Sequence, residues 1–535
     1  MSIAADLQGR VRAWIEDDPN PDDAAELRAL LAAGDADELA DRFSGPLTFG
    51  TAGLRGPLRA GPNGMNAAVV RLAAAGLAAQ LTADGHAGRP VVIGYDGRHR
   101  SREFALDSAR VLAAAGFDAR LLPRLLPTPV LAFAVRRLDA AAGVMVTASH
   151  NPPADNGYKV YAGDGAQIVP PLDGQIERQI RSIGSARAIP LSDGFTVLDE
   201  QLVTDYVAAV SRLVGSPARP LKIVHTSMHG VGGSVVRAVF DAAGFAPLTE
   251  VAEQAEPDPD FPTVAFPNPE EPGALDLALA AAERTGADLV LANDPDADRC
   301  AVAVPDGTGW RMLRGDEVGV LLADWLLRKG IRGSYATTIV SSQLLSAMAE
   351  RAGVPFAETL TGFKWISRAA PDLVYGYEEA LGYAVAPRLV RDKDGISAAL
   401  LVAELATALA DSASSLPQRL AELAAEFGLY ATRQLSWRVT DLGEIAAAMK
   451  RLRADPPARL LGRPVRVTDL APDADVLTLR FDGGRVVVRP SGTEPKCKAY
   501  LEVVVPDARD AAAARATANS WLDELAEAVS AAVGL

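Results

Sequence analysis

A chain of 535 residues is too long for one hydrophobic core and calls for roughly three to four domains. Hydrophobic residues at 49% and charged residues at 23% exclude a disordered or collagen-like chain. The net charge of −15, with a pI of about 5.0, repels nucleic acid and anionic membrane surfaces, so any phosphate must be gripped locally.

Cys300 and Cys497 are too few for a disulfide framework, and the first residues lack a basic segment followed by an apolar run. The apolar stretch 396–403 ends at Glu404, well short of a membrane span. These features fit a soluble protein of the reducing cytoplasm.

Residues 6–43 read as helices with acidic surfaces. From there short β-rich runs at 91–95, 143–147, 222–226, 288–292, 336–341 and 373–375 alternate with alanine-rich helical patterns, which predicts α/β domains. Toward the C-terminus, strands at 485–489 and 498–505 precede an amphipathic helix at 507–533, the pattern of a smaller α+β domain. Pattern shifts near 185–194, 305–309 and 427–437 divide the chain into residues 1–195, 196–308, 309–432 and 433–535.

The unusual polar clusters fall just after predicted strands, where open α/β sheets place ligand-binding loops. Phe49-Gly50-Thr51-Ala52-Gly53-Leu54-Arg55-Gly56 sets Arg55 among glycines that allow close approach to a ligand. Thr147-Ala148-Ser149-His150-Asn151-Pro152 offers Ser149 as a nucleophile, with Lys159 ten residues on; an ordinary turn has the same composition.

Asn293-Asp294-Pro295-Asp296-Ala297-Asp298-Arg299 spaces three carboxylates by two. In an extended stretch they project to one side and can reach one hard cation such as Mg²⁺, with Arg299 beside it for a phosphate. An EF-hand does not fit, because Arg299 stands where the sharp-turn glycine belongs and Pro305 where the bidentate glutamate belongs. The run Gly230-Val231-Gly232-Gly233 lacks a dinucleotide fingerprint and reads as a tight strand-to-helix turn.

Tyr377-Glu378-Glu379-Ala380-Leu381-Gly382 presents two acids able to accept hydrogen bonds from vicinal sugar hydroxyls. Arg489-Pro490-Ser491-Gly492-Thr493-Glu494-Pro495-Lys496 combines a guanidinium fork, hydroxyls and exposed N–H groups, a phosphate cradle of no nucleotide type. Thr361-Gly362-Phe363-Lys364-Trp365 and Arg391-Asp392-Lys393-Asp394-Gly395 are, by residue type, more often surface loops; Lys364 and Lys393 are retained as candidate substrate-binding cations.

In this order these segments resemble the α-D-phosphohexomutase family of phosphoglucomutases and phosphomannomutases, from residue 49 to about residue 502. The resemblance implies four domains around a central cleft, three α/β and a smaller α+β. It implies that Ser149 is the phosphorylated nucleophile and that Asp294, Asp296 and Asp298 bind Mg²⁺ together with a phosphoserine oxygen. Glu378 would contact sugar hydroxyls, and Arg489, Ser491, Gly492 and Thr493 would hold the non-reacting phosphate. Arg55, Lys159 and Arg299 match positions lining the phosphoryl-transfer centre. Lys159 is the first candidate general base and His150 the second, and Glu379, Lys364 and Lys393 complete the substrate set.

Many members carry a serine where this chain has Ala380, and the local form resembles the branch of phosphopentomutases and sugar-bisphosphate synthases. The implied reaction interconverts a hexose 1-phosphate and a hexose 6-phosphate through a bound sugar 1,6-bisphosphate. Pentose phosphates and net bisphosphate synthesis are the alternatives, and a sugar-phosphate-binding protein without catalysis is the non-enzymatic one. A small phosphosugar is the expected partner, on a monomer or homodimer.

Overall fold

The computed structural model describes residues 3–48, 53–215, 220–307, 309–439, 441–491 and 496–535. They form two compact units: Met1–Leu313 with Phe363–Arg368 and Gly382–Thr407, and Arg314–Gly362 with Ala369–Leu381 and Ala408–Leu535.

The first unit opens with helices Ala5–Asp17, Pro21–Ala33 and Ala36–Arg42, the last two capped by the Asn20 and Asp35 side chains. Leu7, Val11, Ile15, Leu27, Leu39 and Phe43 close their own small core.

Two sheets follow. In the first, Pro90–Tyr95 pairs in parallel with Asp118–Leu121 and Ala142–Val146, and Asp155–Ala162 adds antiparallel to Ala142–Val146. Val91, Val92, Ile93, Val144, Met145 and Val146 are fully buried, because helices cover both faces of a parallel sheet. In the second, Ile223–Thr226 pairs in parallel with Leu289–Ala292, to which Ala301–Asp306 adds antiparallel.

The second unit contains Ser334–Thr338 in parallel with Phe356–Thr359 and Leu373–Glu378. Its five-stranded sheet runs Leu429–Arg438, Lys496–Val505, Gly484–Pro490, Leu477–Phe481 and Arg466–Asp469, antiparallel throughout. The amphipathic helix Ala511–Val533 packs on it through Ala518, Leu522, Leu525 and Val529. Three α/β sheets and a C-terminal α+β sheet match the class expected from the alternation of elements.

Two boundaries differ for local reasons. The strand expected at 336–341 ends at Thr338, whose hydroxyl accepts from the N–H groups of Val340 and Ser341 and turns the chain. The helix expected from 507 starts at Ala511, because the Asp510 carboxylate caps Ala512 and Ala513. Among the described residues no single helix is long and apolar enough to cross a membrane.

Candidate active site

Strand Ala142–Val146 delivers the Ser149 loop, and strand Leu289–Ala292 of the neighbouring sheet delivers the aspartate loop. Both strands belong to the first unit. Ser149 takes a φ of 52°, a left-handed conformation costing about 1–3 kcal/mol that persists only where the surroundings impose it. Two groups impose it. The Thr147 hydroxyl accepts from Ser149 N at 2.9 Å. The buried Arg98 guanidinium donates to the carbonyls of Ser149 (2.6 Å), Asn151 (2.5 Å), Pro152 (2.8 Å) and Asp155 (3.2 Å).

Arg98 is a residue that sequence reasoning missed. Its signal was a charged Asp96-Gly97-Arg98 turn directly after a buried strand, the placement that drew attention to the other clusters. Asp96 lies 3.4 Å from it, and the Phe261 ring covers its guanidinium at 5.0 Å.

The three aspartates converge, but through a turn and not the extended stretch expected. Ala297 N donates to Asp294 O at 2.8 Å and Ala297 has a φ of 52°. Asn293 pins the loop, donating from Nδ2 to Arg299 O at 2.6 Å while its Oδ1 meets His225 Nε2 at 3.0 Å. The Gly230-Val231-Gly232-Gly233 run is the strand-to-helix turn expected, and its glycines acquire a reason. A Cβ on Gly230 would lie 2.4 Å from Pro295 Cα, and one on Gly232 2.8 Å from Ala297 Cβ.

All three carboxylates are buried and offer oxygens within 4.8 Å of one another. The Ser149 hydroxyl donates to Asp294 Oδ2 at 2.9 Å, and Arg299 N donates to Asp294 Oδ1 at 3.0 Å. Lys159 Nζ reaches Asp296 Oδ2 (2.8 Å) and Asp298 Oδ2 (3.1 Å). Lys393 Nζ reaches Asp298 Oδ2 at 3.1 Å, and Arg299 Nε stands 3.8 Å from Asp294 Oδ2. Among the described residues, buried Asp296 Oδ1 and Asp298 Oδ1 have no hydrogen-bond donor. Clustered carboxylates with two oxygens left over for a ligand fit a hard cation.

Charge is unevenly shared. Burial, with Asp296 and Asp298 adjacent, holds Asp294 well above the usual carboxylate range. Burial alone would raise Asp298 too, but Lys159, Lys393 and Arg299 outweigh it and hold it below that range. Burial opposes the charge of Lys159, yet Asp296 and Asp298 raise its pKa, so it stands as an ammonium. His150, its Nδ1 3.2 Å from Ser149 Oγ, is held well below 6.5 by burial and then by Arg299 and Arg55. Arg55 donates to Asn151 Oδ1 at 3.0 Å, while residues 49–52 of its motif lie outside the described residues.

The two segments read as surface loops are not surface loops. Asp392, Lys393 and Asp394 are buried; Asp392 Oδ2 accepts from Tyr161 OH (2.7 Å) and Gln167 Nε2 (2.8 Å). Gly395 lies so close to the aspartate loop that a Cβ there would overlap Arg299 O. Long-range packing, invisible in a charged pentapeptide, buries this turn. Lys364 is also buried, 5.4 Å from the Trp365 ring centroid, and burial lowers its pKa. Among the described residues, the lysines paired with the aspartates are Lys159 and Lys393.

In the second unit, Glu378 ends strand Leu373–Glu378. Glu379 Oε2 accepts from Ser341 Oγ (2.9 Å) and Thr338 Oγ1 (3.3 Å), and its pKa is raised by burial and by Asp316. Arg489 lies in strand Gly484–Pro490, and Ser491 N donates to Lys496 O at 2.7 Å, closing the loop. Gly492 and Thr493 lie outside the described residues.

Comparison with known proteins identifies the family. Models of phosphoglucomutase/phosphomannomutase α/β/α domains I, II and III match residues 46–187, 204–307 and 314–427, and that of the C-terminal domain matches 436–520. A Haemophilus influenzae protein named "Probable phosphomannomutase" is 47% identical over 84% of this chain and 95% of its own. Mouse phosphopentomutase is 36% identical over 95% of this chain and 92% of its own. The solved structure of a Thermus thermophilus protein, provisionally described as a phosphomannomutase, superposes with a TM-score of 0.73 at 27% identity, covering 90% of this chain and 99% of that one. With a domain model matched along most of its length, this chain is an enzyme of the phosphoglucomutase/phosphomannomutase family.

Proposed function

We propose that this enzyme interconverts a hexose 1-phosphate and a hexose 6-phosphate, of glucose or mannose, carrying the transferred phosphoryl group on Ser149. The observation that carries the reading is Ser149 Oγ at 2.9 Å from Asp294 among three buried aspartates faced by Lys159, Lys393 and Arg299. Asp294, Asp296 and Asp298 would hold Mg²⁺, which when bound neutralises charge on the transferring phosphoryl oxygens. Arg98 and Thr147 hold the Ser149 backbone in place, and Arg55 and Arg299 supply further positive charge to the equatorial oxygens. Lys159 and His150 are the two candidate acceptors for the sugar hydroxyl proton. Lys159 must first leave its two carboxylates, whereas His150 is neutral and already beside Oγ.

Glu378 would read sugar hydroxyls, with Arg489, Ser491, Gly492 and Thr493 on the non-reacting phosphate and Lys364 as a further substrate cation. Glu379, whose Oε2 accepts from Ser341 and Thr338, would complete the substrate set beside it. A sugar 1,6-bisphosphate would be both primer and intermediate, and the protein would work in the cytoplasm. A pentose phosphate is the second reading, favoured by Ala380 in the sugar loop and by the phosphopentomutase relative.

Phosphorus NMR of the enzyme with Mg²⁺, trace sugar 1,6-bisphosphate and glucose, mannose or ribose 1-phosphate tests the reading, with Ser149→Ala as control. Interconversion lost in the control supports it and names the sugar. Bisphosphate accumulation without interconversion would move the assignment to a synthase, and no turnover of any sugar would sink it.

A further inference from the structure

Asp296 and Asp298 each divide their two oxygens in the same way. Asp296 Oδ2 accepts from Lys159 Nζ at 2.8 Å and from Thr128 Oγ1 at 2.6 Å, while Asp296 Oδ1 is buried with no donor among the described residues. Asp298 Oδ2 takes Lys159 Nζ and Lys393 Nζ, both at 3.1 Å, while Oδ1 has no such donor and Arg299 Nε stands 3.9 Å away. Lys159 and Lys393 carry charge that the reaction can use. Thr128 carries none, and its buried hydroxyl touches the site through Asp296.

Thr128 opens helix Thr128–Arg137 and holds residue 296 twice, by its hydroxyl and by its N–H, which donates to Asp296 O at 2.9 Å. The hydroxyl bond commits Oδ2 to the protein and restrains the carboxylate's rotation, while the N–H bond fixes the backbone that carries it. We infer that Thr128 is a positioning residue that makes Asp296 a one-oxygen metal ligand through Oδ1, and thereby favours a small octahedral cation such as Mg²⁺ over Ca²⁺. The physical basis is that Ca²⁺ accepts bidentate carboxylates and irregular geometry, whereas Mg²⁺ demands single oxygens near ideal octahedral positions. Partners that orient a ligand typically control about 10–100-fold in metal affinity. This inference rests on the reading of the three aspartates as a metal site.

Calorimetric titration of EDTA-stripped protein with MgCl₂ and, separately, CaCl₂ tests it on wild type, Thr128→Val and Thr128→Ser. The valine variant keeps the shape and removes the donor. It is expected to lose about tenfold in Mg²⁺ affinity and less in Ca²⁺ affinity, so that the Mg²⁺/Ca²⁺ ratio falls, while serine matches wild type. Unchanged Mg²⁺ binding by the valine variant, or equal loss of both ions, overturns the role of Thr128 while leaving the metal site standing. No binding of either ion by wild type overturns both. Thr128→Ala replaces the valine variant if thermal melting shows that valine does not fold.

Discussion

Ser149 and Asp294 lie 145 positions apart, yet the serine hydroxyl donates to the aspartate at 2.9 Å. Neither side chain is chemically unusual; a hydroxyl is a weak nucleophile and a lone carboxylate a weak metal ligand. Their meeting inside a buried, highly charged pocket makes both useful.

Ser149→Ala is expected to abolish incorporation of a phosphoryl group from glucose 1,6-bisphosphate, read by intact-protein mass. Arg299→Met, which keeps the stem and deletes the guanidinium, is expected to lower kcat by about 10²–10³-fold, the usual effect of removing one preorganised charge-stabilising donor. Retention of phosphoryl uptake by the alanine variant would place the carrier elsewhere.

Replacing Arg98 tests the clamp on the serine loop. Arg98→Met strips donors from four carbonyls and leaves Asp96 without its ion-pair partner, so a loss of about 3–5 kcal/mol is expected in denaturant unfolding. Arg98→Lys keeps the charge but cannot span all four carbonyls. It should fold with a lowered kcat and a KM near that of wild type, and a lysine variant of full kcat would show the clamp to be dispensable.

Gly230→Ala puts a methyl 2.4 Å from Pro295 Cα, a backbone atom that cannot swing aside. Overpacking of this kind costs about 1–3 kcal/mol, and here the displaced segment lies between Asp294 and Asp296. The melting temperature and the Mg²⁺ affinity should fall together. A fall in melting temperature with unchanged metal binding would mean that the aspartates tolerate movement of their loop.

The second unit carries a pH-sensitive carboxyl. Asp316 accepts from Ser342 N (2.7 Å), Thr432 Oγ1 (3.0 Å) and Tyr377 OH (3.1 Å), but burial and then Glu502 push its pKa from 3.8 up to about 6. A carboxyl raised in the folded state contributes stability that is complete below about pH 4 and lost as pH rises through about 6. Wild type should therefore lose roughly 2.4 kcal/mol relative to Asp316→Asn between pH 4 and 7. Paired unfolding curves at the two pH values check this; a gap that stays constant, or that moves in favour of wild type as pH rises, contradicts it.

Much of this was legible from local pattern. The runs of Val, Ile and Leu at 91–95, 143–147 and 288–292 became buried strands because parallel strands covered on both faces must be apolar throughout. The Ser149 and aspartate loops stood out because they follow strands, where open α/β sheets place ligand-binding loops, and because three aspartates are spaced regularly by two. Arg98 and Thr128 did not stand out. An arginine in a turn and a threonine opening a helix are ordinary, and their importance lies in what they touch: four carbonyls for one and Asp296 for the other.

By itself, the sequence determined the α/β alternation, the C-terminal α+β pattern, the identity of the chemical groups and the family they resemble. Each depends on residue type and spacing over a few neighbours. Only the tertiary structure decided that a turn, and not an extended stretch, gathers the aspartates. It also decided that Lys393 is buried against Asp298, that Glu379 is engaged by Ser341, and which oxygens of Asp296 and Asp298 are left without donors among the described residues. These depend on contacts between segments far apart in the chain, or on atom-level orientation within a packed site, and no local spacing encodes either.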